Sequence, residues 1–163
     1  MIQDQSCFFH RRRGIFHLLL VGGLLLLAGC AKPEKPPLKL NLEIAASGDL
    51  NPGPEGQPLP VVLRLYQLKQ PGGFMGADFY SLFDKEASVL GADLLAREEI
   101  TLRPGQVLHL QRPQEPAATY VGVLAAYRAL DRSRWRAGQG LQSGVDNRIG
   151  VQVSADRVSA FAK

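Results

Sequence analysis

Side chains that carry chemistry are scarce in this 163-residue chain, which holds two cysteines, three histidines and one tryptophan. Cys7, His10, His17 and Cys30 all fall in the first 30 residues, so His109 is the single imidazole beyond them. With no cysteine after Cys30 a disulfide framework is excluded, and the remaining domain must be held by its core alone. A metal site needs several His, Cys or carboxylate groups at ligand spacing, and no such cluster appears. Ser47, Ser81, Ser88 and Ser143 have only His109 as a triad partner, and none sits in a nucleophile elbow. His109 itself lies between Leu108 and Leu110 in a strand pattern, where an outward imidazole is solvated rather than catalytic. Gly72-Gly73 and Gly138-Gln139-Gly140 lack the strand-to-helix context and the lysine of a phosphate loop. These deficits predict no enzyme, no catalytic residues and no metal.

Long apolar runs are missing too. The stretch from Gly14 to Ala28 would rise only about 22 Å as a helix, against a hydrocarbon core of roughly 30 Å. It follows His10-Arg11-Arg12-Arg13 and ends in Leu27-Ala28-Gly29-Cys30, giving the charged, apolar and small-residue parts of a secretory signal. Those four residues match the lipobox pattern position by position, so the segment resembles a bacterial lipoprotein signal. That resemblance implies cleavage before Cys30, a diacylglyceryl group on the Cys30 thiol and an acyl chain on its amino group, with no other cofactor. Two or more chains hold a protein stably on a membrane, whereas one holds it marginally. Ala31, where aspartate would direct retention at the inner membrane, implies the periplasmic leaflet of the outer membrane. Cleavage removes Arg11, Arg12, Arg13 and Asp4, lowering the net charge from +4 to +2. No long Lys/Arg run remains, so nucleic acid is not an expected partner.

The chain therefore divides into a signal peptide (1–29), an acylated cysteine with a proline-rich tether (30–37) and one folded domain (38–163). Lys32-Pro33-Glu34-Lys35-Pro36-Pro37 reads as a semi-rigid polyproline spacer. Leu38, Leu40, Leu42 and Ile44 alternate with polar residues, the period of a half-buried strand. Ala46 to Pro60 carries too many glycines and prolines for regular structure and is forced into a long loop. Val61 to Leu68 is a second strand with Val61, Leu63 and Leu65 on one face and Arg64 and Tyr66 on the other. Between Pro71 and Gly91 the spacing of Phe79, Leu82 and Phe83 predicts one or two short helices, with Asp78 as a cap. A strand ending at Leu102, a turn at Pro104-Gly105 and a strand over Val107 to Gln111 predict a hairpin. Tyr120 to Tyr127, apolar on both faces, suits a central strand. Arg128 to Leu141 reads as a polar excursion, Asp146-Asn147-Arg148 as a turn, and Ile149–Val153 and Val158–Ala162 as closing strands. Seven or so strands predict an all-β, two-sheet antiparallel sandwich.

The lipobox, the Gly/Pro loop, Pro60 to Leu68, Phe74 with Ala77-Asp78-Phe79 and Leu82, Tyr120 to Arg128 and Trp135-Arg136 occur in the order seen in a known family. In that order they resemble the TssJ family (VasD/Lip/SciN), outer-membrane lipoproteins of the type VI secretion system. The resemblance implies a transthyretin-like sandwich with a small helical insertion after the second strand. It further implies a non-enzymatic role, anchoring the periplasmic C-terminal region of TssM to the outer membrane and reaching TssL indirectly through the complex. Its contact region is the loop between the first two strands, here offering Asp49, Leu50, Asn51, Pro54, Glu55 and Gln57. Four prolines in that loop lower the entropy lost when it is fixed against a partner. Arg64 and Tyr66 read as structural ahead of a recognition stripe, and Trp135 as packing over one end of the sandwich ahead of an interface anchor. The alternative function is an outer-membrane lipoprotein that binds a small ligand in a pocket of the sandwich, between the sheets or beneath the short helices.

Overall fold

Leu40, Leu42 and Ile44 turn inward and are buried, while Lys39, Asn41 and Glu43 turn outward, which fixes strand β1 (Lys39–Ala46) as one face of a core. The computed structural model describes residues 36–163. The signal peptide, Cys30 and the tether up to Lys35 lie outside the described residues, and Pro36 and Pro37 are exposed. The other strands are β2 (Val61–Leu68), β3 (Leu94–Leu102), β4 (Val107–Pro113), β5 (Tyr120–Ala125), β6 (Arg136–Gly140), β7 (Asn147–Val153) and β8 (Val158–Ala162). They form two four-stranded sheets, β4-β1-β7-β8 and β3-β2-β5-β6, facing each other as a sandwich. All named strand pairs are antiparallel except β1 with β7, which run parallel.

The expected hairpin between the third and fourth strands does not form. β3 pairs with β2 in one sheet and β4 with β1 in the other, so the turn at 103–106 crosses between layers. Backbone bonds from Ala46 to the Gln106 carbonyl and from Gly105 to the Ser47 carbonyl hold that turn against the end of β1. The supposed excursion after Arg128 contains β6, which pairs with β5. A Cβ at Gly138 would overlap the Tyr120 ring, so the glycine lets the two strands pair closely. Asn147 belongs to β7 rather than to a turn, and its buried amide bonds Gln114, Gln142 and Val145.

The period change after Pro71 produces three short helices, α1 (Gly72–Gly76), α2 (Phe79–Asp84) and α3 (Glu86–Leu90), rather than one or two. Asp78 caps α2 as expected, accepting from the Ser81 N–H at 3.0 Å. Helices of five or six residues have no independent stability in water. These are held by the outer face of the β2–β5 sheet, where Phe74, Leu82 and Leu90 pack on Tyr66, Leu68 and Leu124 as a second buried cluster. Two arginines of that sheet also reach helix-end carbonyls: Arg64 donates to Phe83 O, and Arg136 to Phe74 O and Ala77 O. Trp135 meets Phe79 edge-on with ring centroids 5.3 Å apart, so it packs against the insertion at the sandwich margin.

Arg64 is the hub of an ionic network under the helices. Its Nε lies 2.7 Å from Glu99 and its NH1 3.3 Å from Glu86, which also bonds Arg97 and the Tyr66 hydroxyl. Burial, reinforced by the Glu86 carboxylate, pushes the Tyr66 hydroxyl up to about 12. The unfolded tyrosine loses its proton near 10, so the stabilisation is complete below pH 10 and is lost as pH rises toward 12. The slope is about 1.4 kcal/mol per pH unit. Urea titrations should therefore give a lower midpoint at pH 11 than at pH 9. Tyr66→Phe should flatten that fall without abolishing it, because burial also raises Tyr127.

Candidate functional site

The loop between β1 and β2 splits into a buried stem and an exposed tip. Leu50 is wholly buried in the inter-sheet core, and Asn51 is 6% exposed. The stem is tied to the end of β7 and the turn after it, and across itself: Ser47 N–H donates to Val153 O, Asn51 N–H to Ala155 O, and Leu59 N–H to Leu50 O. Asn51 adds a side-chain clasp, its Nδ2 donating to Pro60 O and its Oδ1 accepting from the Arg128 N–H, each at 2.8 Å. The residue sits at φ +45°, a left-handed conformation that asparagine tolerates better than other side chains. Arg128 Nε then donates to Pro52 O at 3.1 Å, binding the loop to the β5–β6 connection.

Beyond the stem the tip closes on itself. Gly53 N–H donates to Gln57 O at 2.8 Å and Gly56 N–H to Gly53 O at 3.1 Å, while Gln57 Oε1 accepts from the Glu55 N–H. The Gln57 side chain lies against Gly53, where any Cβ would collide with it. Asp49, Pro54, Glu55 and Gln57 are exposed. Of the six residues proposed as contacts, these four face solvent. Leu50 and Asn51 do not: the core takes one, and the Pro60 carbonyl and Arg128 N–H take the side chain of the other. Asn51 resembled a surface handle because a polar residue among glycines and prolines gives no sign of burial.

Position matters as much as shape. Gln114 N–H donates to Leu38 O where β1 begins, and Ala46 N–H donates to Gln106 O where it ends. Eight residues of strand, about 26 Å, therefore separate Leu38 from the loop. The turns at 103–106, 126–134 and 154–157 share the loop's pole.

Elsewhere the candidates resolve as structural or solvated. Arg64 and Tyr66 lie beneath the helical insertion, and the His109 side chain is 74% exposed, with Nδ1 3.9 Å from Glu43. Among the described residues no group of three or more His, Cys, Asp or Glu is placed to hold a metal ion. A cleft of about 200 Å³ opens between the β3 and β4 edges, lined by Leu40, Leu42, Leu65 and Val121 and flanked by the Arg112–Glu98 ion pair. That is small beside the roughly 300–1,000 Å³ of ligand pockets.

Comparison with known proteins places this architecture. The family model described as type VI secretion lipoprotein, VasD, EvfM, TssJ, VC_A0113 matches residues 38–156. The chain belongs to this TssJ family. The T6SS lipoprotein TssJ1 from Pseudomonas aeruginosa is 34% identical, with a TM-score of 0.75 over 78% of this chain and 98% of that one. Lip from Serratia marcescens, a membrane-bound component of the type VI secretion system, is 28% identical, with a TM-score of 0.70 over 76% of this chain and 96% of that one. A chain in the structure described as the TssM C-terminal domain from EAEC is 28% identical, with a TM-score of 0.63 over 77% of this chain and 98% of that one. A comparison with curated proteins finds no match. TssJ proteins are structural lipoproteins and not enzymes, in keeping with the sandwich and its helical insertion.

Proposed function

We propose that this TssJ protein is anchored by acyl chains on Cys30 to the periplasmic leaflet of the outer membrane. From there it grips the periplasmic C-terminal region of TssM with the 47–60 loop, and meets TssL only through TssM. One observation carries the reading: a self-closed, exposed tip stands at the end of β1 away from Leu38, on a stem fastened to the core. A preorganised loop loses little freedom on binding, which is the cost that weakens most loop contacts. The likeness to a chain in a TssM C-terminal domain structure supports the choice of partner.

The test is direct binding between the soluble form beginning at Ala31 and the TssM periplasmic C-terminal region, by calorimetry. Pro54→Ala combined with Glu55→Ala leaves the stem and the Gln57 bonds in place. It should weaken affinity by about tenfold or more with little change in melting temperature, as expected for loss of contact groups at an interface. Unchanged affinity rejects the tip as the contact. Mass spectrometry of the mature amino terminus checks the anchor, and an unmodified Cys30 rejects it.

A further inference from the structure

Arg103, Arg128, Arg132, Arg134 and Arg157 all lie on the turns that share the loop's pole, and all five are exposed. Among the described residues none of them forms an ion pair. Arg128 alone uses its guanidinium, on the Pro52 carbonyl of the loop. Asp131 and Asp156 sit on the same turns, yet neither pairs with these arginines. Elsewhere among the described residues Arg64, Arg97 and Arg112 are matched to carboxylates and Arg136 to helix-end carbonyls, while Arg148 alone has neither partner. The contrast is sharpest where the two sheets meet, because Arg134 and Arg157 occupy paired positions of an isolated parallel bridge. Backbone bonds from Arg134 N–H to Asp156 O and from Val158 N–H to Arg134 O fix that pairing. Both side chains are exposed and neither has a counter-charge within the described residues, so a cationic pair stands unmatched at this edge.

We infer that these arginine-bearing turns form the electrostatic half of the partner contact, beside the loop tip, and recognise an acidic surface on the protein the loop grips. The inference rests on the proposed TssM contact. A partner's carboxylates placed over Arg132, Arg134 and Arg157 supply the counter-charges that the domain lacks there, and charges at an interface rim accelerate association and set its salt dependence. Arg128 is bonded to Pro52 of the loop, and the 154–157 turn to Asn51, so the arginines are continuous with the loop, which favours the protein that the loop grips over an anionic lipid surface.

The experiment measures affinity of the soluble form for the TssM periplasmic C-terminal region at low and high salt, for the wild type and for Arg132→Glu/Arg134→Glu/Arg157→Glu. Expected are a wild-type affinity that falls several-fold with added salt and a reversed-charge variant about 30-fold weaker with a flat salt response. The corresponding Arg→Lys variant should bind within about threefold of wild type. Arg157→Glu alone should raise the melting temperature by about 1–2 °C, by opposing Arg134, while weakening binding. If the triple variant binds like wild type while the Pro54/Glu55 variant fails, the arginine contact is overturned and the loop contact stands. If wild type itself does not bind TssM, both fall. Wild-type binding to vesicles of phosphatidylglycerol and phosphatidylethanolamine that the triple variant loses, with TssM binding intact in both, overturns the inference in favour of a lipid surface.

Discussion

Arg64→Ala should destabilise the domain by about 3 kcal/mol, the low end of what removing one partner from a buried ion pair costs. The arginine is 11% exposed at its side chain and Glu86 20%, whereas Glu99 at 42% is well solvated and contributes little of this. Most of the loss comes from what is left behind. Glu86 keeps Arg97 and the Tyr66 hydroxyl but loses a cation on its buried side, and the Phe83 carbonyl loses its donor. The guanidinium also lies 3.9 Å from the Phe83 ring centroid, a packing contact that alanine forfeits. Arg64→Lys restores the charge without the fork, and one ammonium cannot reach Glu99, Glu86 and Phe83 O together, so about half the loss should remain. Because the helices have no stability of their own, the insertion should loosen before the sandwich. Trp135 is the only tryptophan and touches Phe79 in α2, so its fluorescence reports that event. In urea, the fluorescence midpoint of Arg64→Ala should precede the far-ultraviolet circular dichroism midpoint. A shift below about 0.5 kcal/mol with coincident midpoints would remove the network from the account of how the insertion is held.

Such a network was half legible in the chain. Alternation in Val61 to Leu68 placed Arg64 and Tyr66 together on one face, but the helices that cover them come from a separate segment whose docking no local pattern encodes. The same limit explains the missing hairpin. Leu102 and Leu108 are separated by a Pro-Gly turn and each points inward, which is the signature of two paired strands and equally of two strands facing across a core. Strand β6 escaped for the opposite reason, since Arg136-Ala137-Gly138-Gln139-Gly140 has no β-branched residue. Its pairing with β5 depends on Gly138, diagonal to Tyr120, which leaves room for that ring. Where propensity and burial agree, as in β1 and β5, the reading of the residues and the structure coincide. At the loop, composition located the segment but not its inside and outside, because burial of Asn51 is decided by carbonyls and amides at Pro60 and Arg128 that become neighbours only after folding.

Asn51→Ala is accordingly the substitution at which stability and partner binding should fail together. Alanine removes the donor to Pro60 O and the acceptor for Arg128 N–H, leaving two partly buried backbone groups unsatisfied at about 1 kcal/mol or more each. It also places a Cβ-bearing residue without a local hydrogen-bonding side chain at φ +45°, for roughly another 1 kcal/mol. The sum, about 3 kcal/mol, falls on the stem, so the tip should lose its fixed position. Affinity for the TssM region should drop by about tenfold or more although the Asn51 side chain is buried and touches no partner. Asn51→Gly separates the causes, since glycine accepts the left-handed backbone but makes neither side-chain bond. It should recover about 1 kcal/mol of stability and little of the binding. Leu50→Ala, which hollows the core beneath the stem, should cost about 2–5 kcal/mol by a different route. If Asn51→Ala unfolds at the wild-type urea concentration and binds as tightly, the clasp does not hold the loop, and the rigidity assigned to the tip must come from its own turn. Binding lost in Asn51→Ala and kept in Asn51→Gly would instead assign the whole effect to backbone conformation, making the asparagine a hinge setting rather than a clasp.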